Sequence, residues 1–245
     1  MSDPGKRTTR RQSDADRAKG RQTLTRADVI RAGAHMLDRE GADNLSMRGL
    51  AAYLGTGPST LYWHVQDKER LLVLILDETL RPIKAPVHGG WEFRLEETLL
   101  RLYETLLPRP ALIDVVWRSG GLLGSEVLRM ADLLVGLVAE SGLPEAEVVD
   151  AYLALLTLVF GYVMAQTSSP GNPSYRQMLR TSPVAKSNDY PNLQRYAPGD
   201  VHEASQFRYA LERFIDAIKI RAHEAGSASP GLVAKDRVHQ NPLSK

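Results

Sequence analysis

Residues 46–70, SMRGLAAYLGTGPSTLYWHVQDKER, constrain this chain more than any other stretch. Their spacing predicts two short helices joined by a glycine turn, with a further helix starting directly after them. Ser46 can cap a helix through Met47, Leu50, Ala51 and Leu54, which the three- and four-residue spacing puts on one face. Gly55 stops that helix where a left-handed residue is needed, because a residue without a Cβ takes positive φ without strain. Pro58 suits the first turn of the next helix, having a preset φ and no N–H to leave unsatisfied. That helix, over about 58–63, carries Ser59, Thr60, Tyr62, Trp63 and His64 at or near its exposed end. Small Ala51 lets two helices cross closely. The whole reads as a helix-turn-helix whose second helix fits a DNA major groove.

The rest of the sequence suits such a reader. A chain of 245 residues can bury one small and one larger core. With no cysteine it has no disulfide framework, thiolate metal site or cysteine nucleophile, which fits a reducing cytoplasm. The first 23 residues are basic and polar with no apolar core, so they predict a disordered arm rather than a secretory signal. Its Lys6, Arg7, Arg10, Arg11, Arg17, Lys19 and Arg21 fit either a DNA backbone or a solvated tail. Residues 1–70 hold 13 Lys and Arg against 9 Asp and Glu, whereas the other 175 hold 18 against 20. The positive excess sits with the helix-turn-helix, as phosphate binding requires.

The periodicity predicts an all-α chain. Thr25 can cap a first helix carrying Val29, Ile30, Met36 and Leu37, which Gly41 ends. Asp67 can cap a long fourth helix with Leu71, Leu72, Ile75, Leu76 and Leu80 in a stripe. Helices follow at about 91–107, 110–117, 126–140, 145–166 and 201–223. Residues 167–199 are polar with five prolines and read as a loop, with one helical turn near 175–179. The expected organisation is an arm at 1–23, a helix-turn-helix domain at 24–70, a helical regulatory domain at 71–224 and a tail at 225–245. The segment 148–165 is apolar nearly all round and is expected to be buried on every side. Its clean apolar run, 151–165, is shorter than the roughly 20 residues a membrane span needs.

Thr60-Leu61-Tyr62-Trp63-His64-Val65, preceded by Leu50-Ala51 and Leu54-Gly55 and followed by Asp67-Lys68, resembles the TetR family of transcriptional regulators, close to its tetracycline-repressor branch. The resemblance covers about 24–80 in sequence and is architectural beyond that. It implies operator contacts from Arg48, Thr60, Tyr62 and His64, with Ser59 and Trp63 on the same short helix, and a phosphate contact from Lys68. Gly57, Pro58 and Ser59 stand where that branch opens the helix with polar residues, so a different operator is expected. It also implies a four-helix homodimer interface from the last two long helices, with simple filling of a single-chain core as the alternative. Val159, Phe160 and Val163 would serve from one, and Phe207, Leu211, Phe214, Ile215 and Ile218 from the other.

The region 91–200 would then hold a small-molecule inducer, with Tyr103, Trp117, Met130, Tyr152 and Leu156 as candidate lining. Plain core packing remains the alternative for each. The tetracycline repressor uses magnesium with histidine support, but residues 89–201 here contain no histidine. The expected ligand is therefore apolar or amphipathic and held without metal or other cofactor. Two regulators without this ligand chemistry stay open: one with a solid helical core, which an open cavity of several hundred Å³ would argue against, and an activator of the same architecture. For an enzyme there is no nucleophile elbow, Walker loop or dinucleotide fingerprint; Gly55-Thr56-Gly57 lacks the preceding strand and the wider spacing.

Overall fold

The computed structural model describes residues 24–118, 123–167, 189–196 and 203–227. They form helices only: α1 Arg26–Asn44, α2 Met47–Tyr53, α3 Pro58–His64, α4 Lys68–Leu80, α5 Trp91–Leu106, α6 Ala111–Arg118, α7 Ser125–Ala139, α8 Glu145–Thr167, α9 Pro191–Tyr196 and α10 Glu203–Ser227. The chain divides into two compact units, Met1–Ile75 and Leu76–Lys245, so the division falls inside α4 and five residues beyond the expected boundary at 70.

In the first unit, local signals and the fold agree. Thr25 caps α1 through a capping box, accepting from the Asp28 amide at 3.2 Å while the Asp28 carboxylate accepts from the Thr25 amide at 3.1 Å. Gly41, at φ 76°, breaks the helical backbone as expected, but the chain resumes helical turns to Asn44. Ser46 caps α2 by accepting from the Gly49 amide at 3.1 Å, and Gly55 leaves it at φ 62°. Pro58 opens α3. Leu45, Leu50, Ala51, Leu61 and Val65 lock the two short helices together, each at most 1% exposed. Gly33 brings α1 close to α4, since a Cβ there would meet the side chains of Leu71 and Ile75 at 3.1–3.2 Å. We predict that Thr25→Ala lowers stability by about 1 kcal/mol, read as a reduced urea midpoint at unchanged slope.

The second unit is a helical bundle in which α8 packs against α5, α7 and α10. Two expectations change here. Val159, Val163, Phe207 and Leu211 are fully buried inside a single chain, and Phe160, Ile215 and Ile218 nearly so, so the expected interface residues pack chiefly within one chain. Phe214 alone of that set is half-buried. Phe207 is stacked on Tyr103, ring centroids 4.2 Å apart, which explains why that aromatic stripe turns inward. Conversely, α8 is not enclosed on every side. Val149, Leu153 and Met164 are exposed, with Thr157 and Gly161 between them on the same face. Its 22-residue stretch Glu145–Gln166, with a mean hydropathy of 1.9 over an 18-residue window, is long and apolar enough by composition to cross a membrane, contrary to the expectation from the shorter apolar run. Its packing against three other helices makes it a bundle helix with one open face.

The short helix α9 lies within what the sequence marked as loop, because Pro191 is well placed to open a helix that polar composition hides. The helical turn expected near 175–179, the arm and most of the tail lie outside the described residues.

Candidate nucleic-acid interface and ligand cavity

Residues of α3 divide sharply by face. Leu61 and Val65 are held in the core, which turns Ser59, Thr60, Tyr62 and Trp63 outward. Trp63 is 86% exposed and Tyr62 50%, far more than their apolar surface warrants unless something covers them. The Trp63 ring touches only His64 edge-on among the ring contacts seen, centroids 5.6 Å apart, while His64 is half-buried. Arg48, the second residue of α2, is exposed. The structure therefore presents hydroxyl donors, two aromatic rings and a guanidinium on the surface of one short helix pair, a mixture that suits base edges and phosphates.

Lys68 also has a structural role. Its ammonium donates to the Ala42 carbonyl at 2.6 Å, tying the start of α4 to the final turns of α1. An ammonium has three donors, so one such bond leaves two for a phosphate, and the residue both fixes the helix-turn-helix and remains chemically able to bind an anion. Asp67 caps α4, its Oδ1 accepting from the Arg70 amide at 2.7 Å.

In the second unit a small apolar cavity of about 50 Å³ lies among α4, α5, α6, α7 and α8. Of the candidate lining residues, Met130, Tyr152 and Leu156 face it. Tyr103 does not; it belongs to the aromatic stack with Phe207. Trp117 is in α6, and its side chain lies outside the described residues. Phe160, expected at the dimer face, lines the cavity instead. The remaining wall is aliphatic, including Leu76, Leu80, Leu106 and Val127, residues whose chemistry does not differ from any core and which sequence patterning had no means of singling out.

Among the described residues no charged side chain lines this cavity, and the Tyr152 hydroxyl is the one polar tip. Burial raises that phenol above its ordinary pKa of 10.0, so at neutral pH it is an uncharged hydrogen-bonding group. The volume falls well short of the several hundred Å³ of a drug-sized site. Among the described residues no three His, Cys, Asp or Glu side chains gather as metal ligands.

Residues 29–75 match the family described as bacterial regulatory proteins of the tetR family, and residues 83–222 match the tetracyclin repressor-like C-terminal domain. An HTH-type transcriptional regulator of Saccharopolyspora erythraea is 30% identical over 184 residues, 72% of this chain and 76% of that protein. The HTH-type transcriptional repressor DrrR1 of Streptomyces coeruleorubidus is 29% identical over 223 residues, covering 85% and 82% respectively. Among solved structures, the Streptomyces coelicolor TetR family protein ActR in complex with actinorhodin superposes at a TM-score of 0.71 with 26% identity, over 83% of this chain and 99% of that one.

Proposed function

Because the chain belongs to the TetR family of bacterial transcriptional regulators, we propose that it is a repressor that grips a palindromic operator as a homodimer and releases it when a small neutral molecule enters the bundle. The observation that carries the DNA half is the outward face of α3, where Tyr62 and Trp63 stand exposed on a helix pinned by Leu61 and Val65. Such a protein acts on DNA in the bacterial cytoplasm. Arg48, Ser59, Thr60, Tyr62, Trp63 and His64 read or brace the duplex, and Lys68 steadies the reader while holding a phosphate.

One helix of seven residues offers few contacts, so affinity depends on two copies spaced about one helical turn apart. The open face of α8, Val149, Leu153, Thr157, Gly161 and Met164, supplies the pairing surface, with Tyr209 and Ile220 of α10 exposed as candidates to join it. Among the described residues the lining is uncharged with a single hydroxyl, which supports an apolar or amphipathic inducer, held without metal. ActR's complex with actinorhodin supports a small-molecule inducer in this architecture.

The contracted cavity also favours a second reading, a regulator that dispenses with a ligand. Selection of bound sequences from a random duplex pool tests the first half. We expect one palindrome, and a binding constant that falls with salt by a log–log slope of about 0.9 per neutralised phosphate. Recovery of no preferred sequence sinks the operator reading. Titrating neutral apolar compounds against that complex separates the two regulators, since release by none of them leaves the ligand-free one.

A further inference from the structure

The turns of α4 and α7 that wall the cavity also hold a reciprocal set of polar bonds. Asp77 is buried near the end of α4, and its Oδ1 accepts from the Glu126 amide at 3.2 Å and the Val127 amide at 3.4 Å. Those are the second and third residues of α7, whose own N-cap, Gly124, has no side chain to offer. Asp77 is thus the N-cap of a helix it does not belong to, satisfying donors that would otherwise be orphaned. Gly124 is what admits it, because a Cβ there would sit 2.0 Å from the Asp77 carboxylate. In return Arg129 of α7 donates to the carbonyls of Leu80 at 3.3 Å and Ile83 at 3.1 Å, at and just beyond the C-terminus of α4. Its Nε is held by Glu126 at 2.6 Å, which fixes the guanidinium.

The cavity wall alternates with these groups along both helices. Leu76 and Leu80 flank Asp77 on α4, while Val127 and Met130 flank Arg129 on α7. A guest much larger than the present 50 Å³ must move these turns apart, and the bonds beside them break as it does so. Close-packed contacts respond by switching between arrangements rather than by stretching. Since α4 is one continuous helix from Lys68 to Leu80, its far end belongs to the DNA-reading unit.

We propose that Asp77 and Arg129 form a latch, closed in the operator-binding state and opened by the cavity's occupant, so that these two residues set how strongly an inducer weakens DNA binding. This rests on the ligand-released reading above. The closed latch goes with the contracted cavity, and the open one with the ligand. Removing the latch therefore shifts the population toward the ligand-binding form, weakening operator and tightening ligand by linked amounts.

The test uses the full chain, the operator recovered by selection, and Nile red as a neutral apolar probe. Filling the cavity with Ala131→Phe checks that the dye sits there. In the wild type, saturating dye should weaken operator binding by at least about fivefold. Asp77→Ala and Arg129→Gln should each weaken operator binding about tenfold and tighten dye binding by a similar factor, with the double variant no worse than either. Asp77→Asn, which keeps an oxygen acceptor for both amides, should restore most of both. A merely structural role would lower both affinities together, and that result overturns the latch, as does no change in either. A wild type that selects no operator, or whose operator affinity ignores the bound dye, overturns the functional reading and the latch with it. A responsive wild type with unmoved variants overturns the latch alone.

Discussion

Replacing Tyr62 and Trp63 together by alanine should cost about a thousandfold in operator affinity while leaving the thermal midpoint almost unchanged. Each base or backbone contact is worth about 1–3 kcal/mol, and a homodimer loses every contact twice, so four contacts at the low end make about 4 kcal/mol. Stability should barely move, because both side chains are at least half exposed and surface changes usually stay within about 0.5 kcal/mol. Leu61→Ala between them is the contrast. That side chain is 0% exposed, and its loss should destabilise the first unit by about 2–5 kcal/mol. Fluorescence anisotropy on the selected operator and a melting curve for each variant decide the matter. Should the aromatic pair destabilise as Leu61→Ala does, both rings belong to the packing of the working molecule and the recognition face lies elsewhere.

Leu153→Arg should turn the dimer into monomers and remove tight operator binding with it. Leu153 is 46% exposed in the middle of the open face of α8, between Val149 and Thr157. Contiguous apolar surface of this kind marks an interaction site, and a helix with an 18-residue window of mean hydropathy 1.9 is poorly suited to face water. Two-fold pairing would bring an arginine from each copy into a desolvated seam, where an unpaired charge costs several kcal/mol. Light scattering should then report the single-chain mass of 27.1 kDa, with an unaltered helical spectrum. Leu211→Ala should do the opposite, lowering stability without splitting the dimer, since Leu211 is wholly internal to one chain. A Leu153→Arg protein that stays dimeric would move the pairing surface off α8.

The two experiments probe regions of unequal legibility. Every cap of the helix-turn-helix was written locally: Ser46, Gly55, Pro58 and Asp67 act on residues within three or four positions, so spacing alone places them. The bundle's long helices were equally readable from their 3.6-residue period. Which side of α8 and α10 faces a partner was not. Both helices are apolar over more than one face, and periodicity reports that a residue avoids water without reporting what it packs against. Hence Phe207 and Leu211, a clear stripe in sequence, proved to be intramolecular core, and the less conspicuous Val149, Leu153 and Met164 stayed open.

The cavity shows the same limit more strongly. Large side chains with polar tips drew attention to Tyr103, yet that ring spends its surface on Phe207, and ordinary leucines of α4 and α5 form the wall. The bonds of Asp77 to α7 join residues 49 and 50 positions apart, a separation at which no local pattern operates. Sequence alone thus determined the all-helical class and the helix-turn-helix, because capping, turn geometry and amphipathic period are short-range properties of the chain. The exposure of Trp63 came from the packing of Leu61 and Val65. Tertiary structure alone decided which apolar residues fill the core, which stay exposed and which surround the hollow, because burial is settled by the simultaneous packing of helices far apart in sequence.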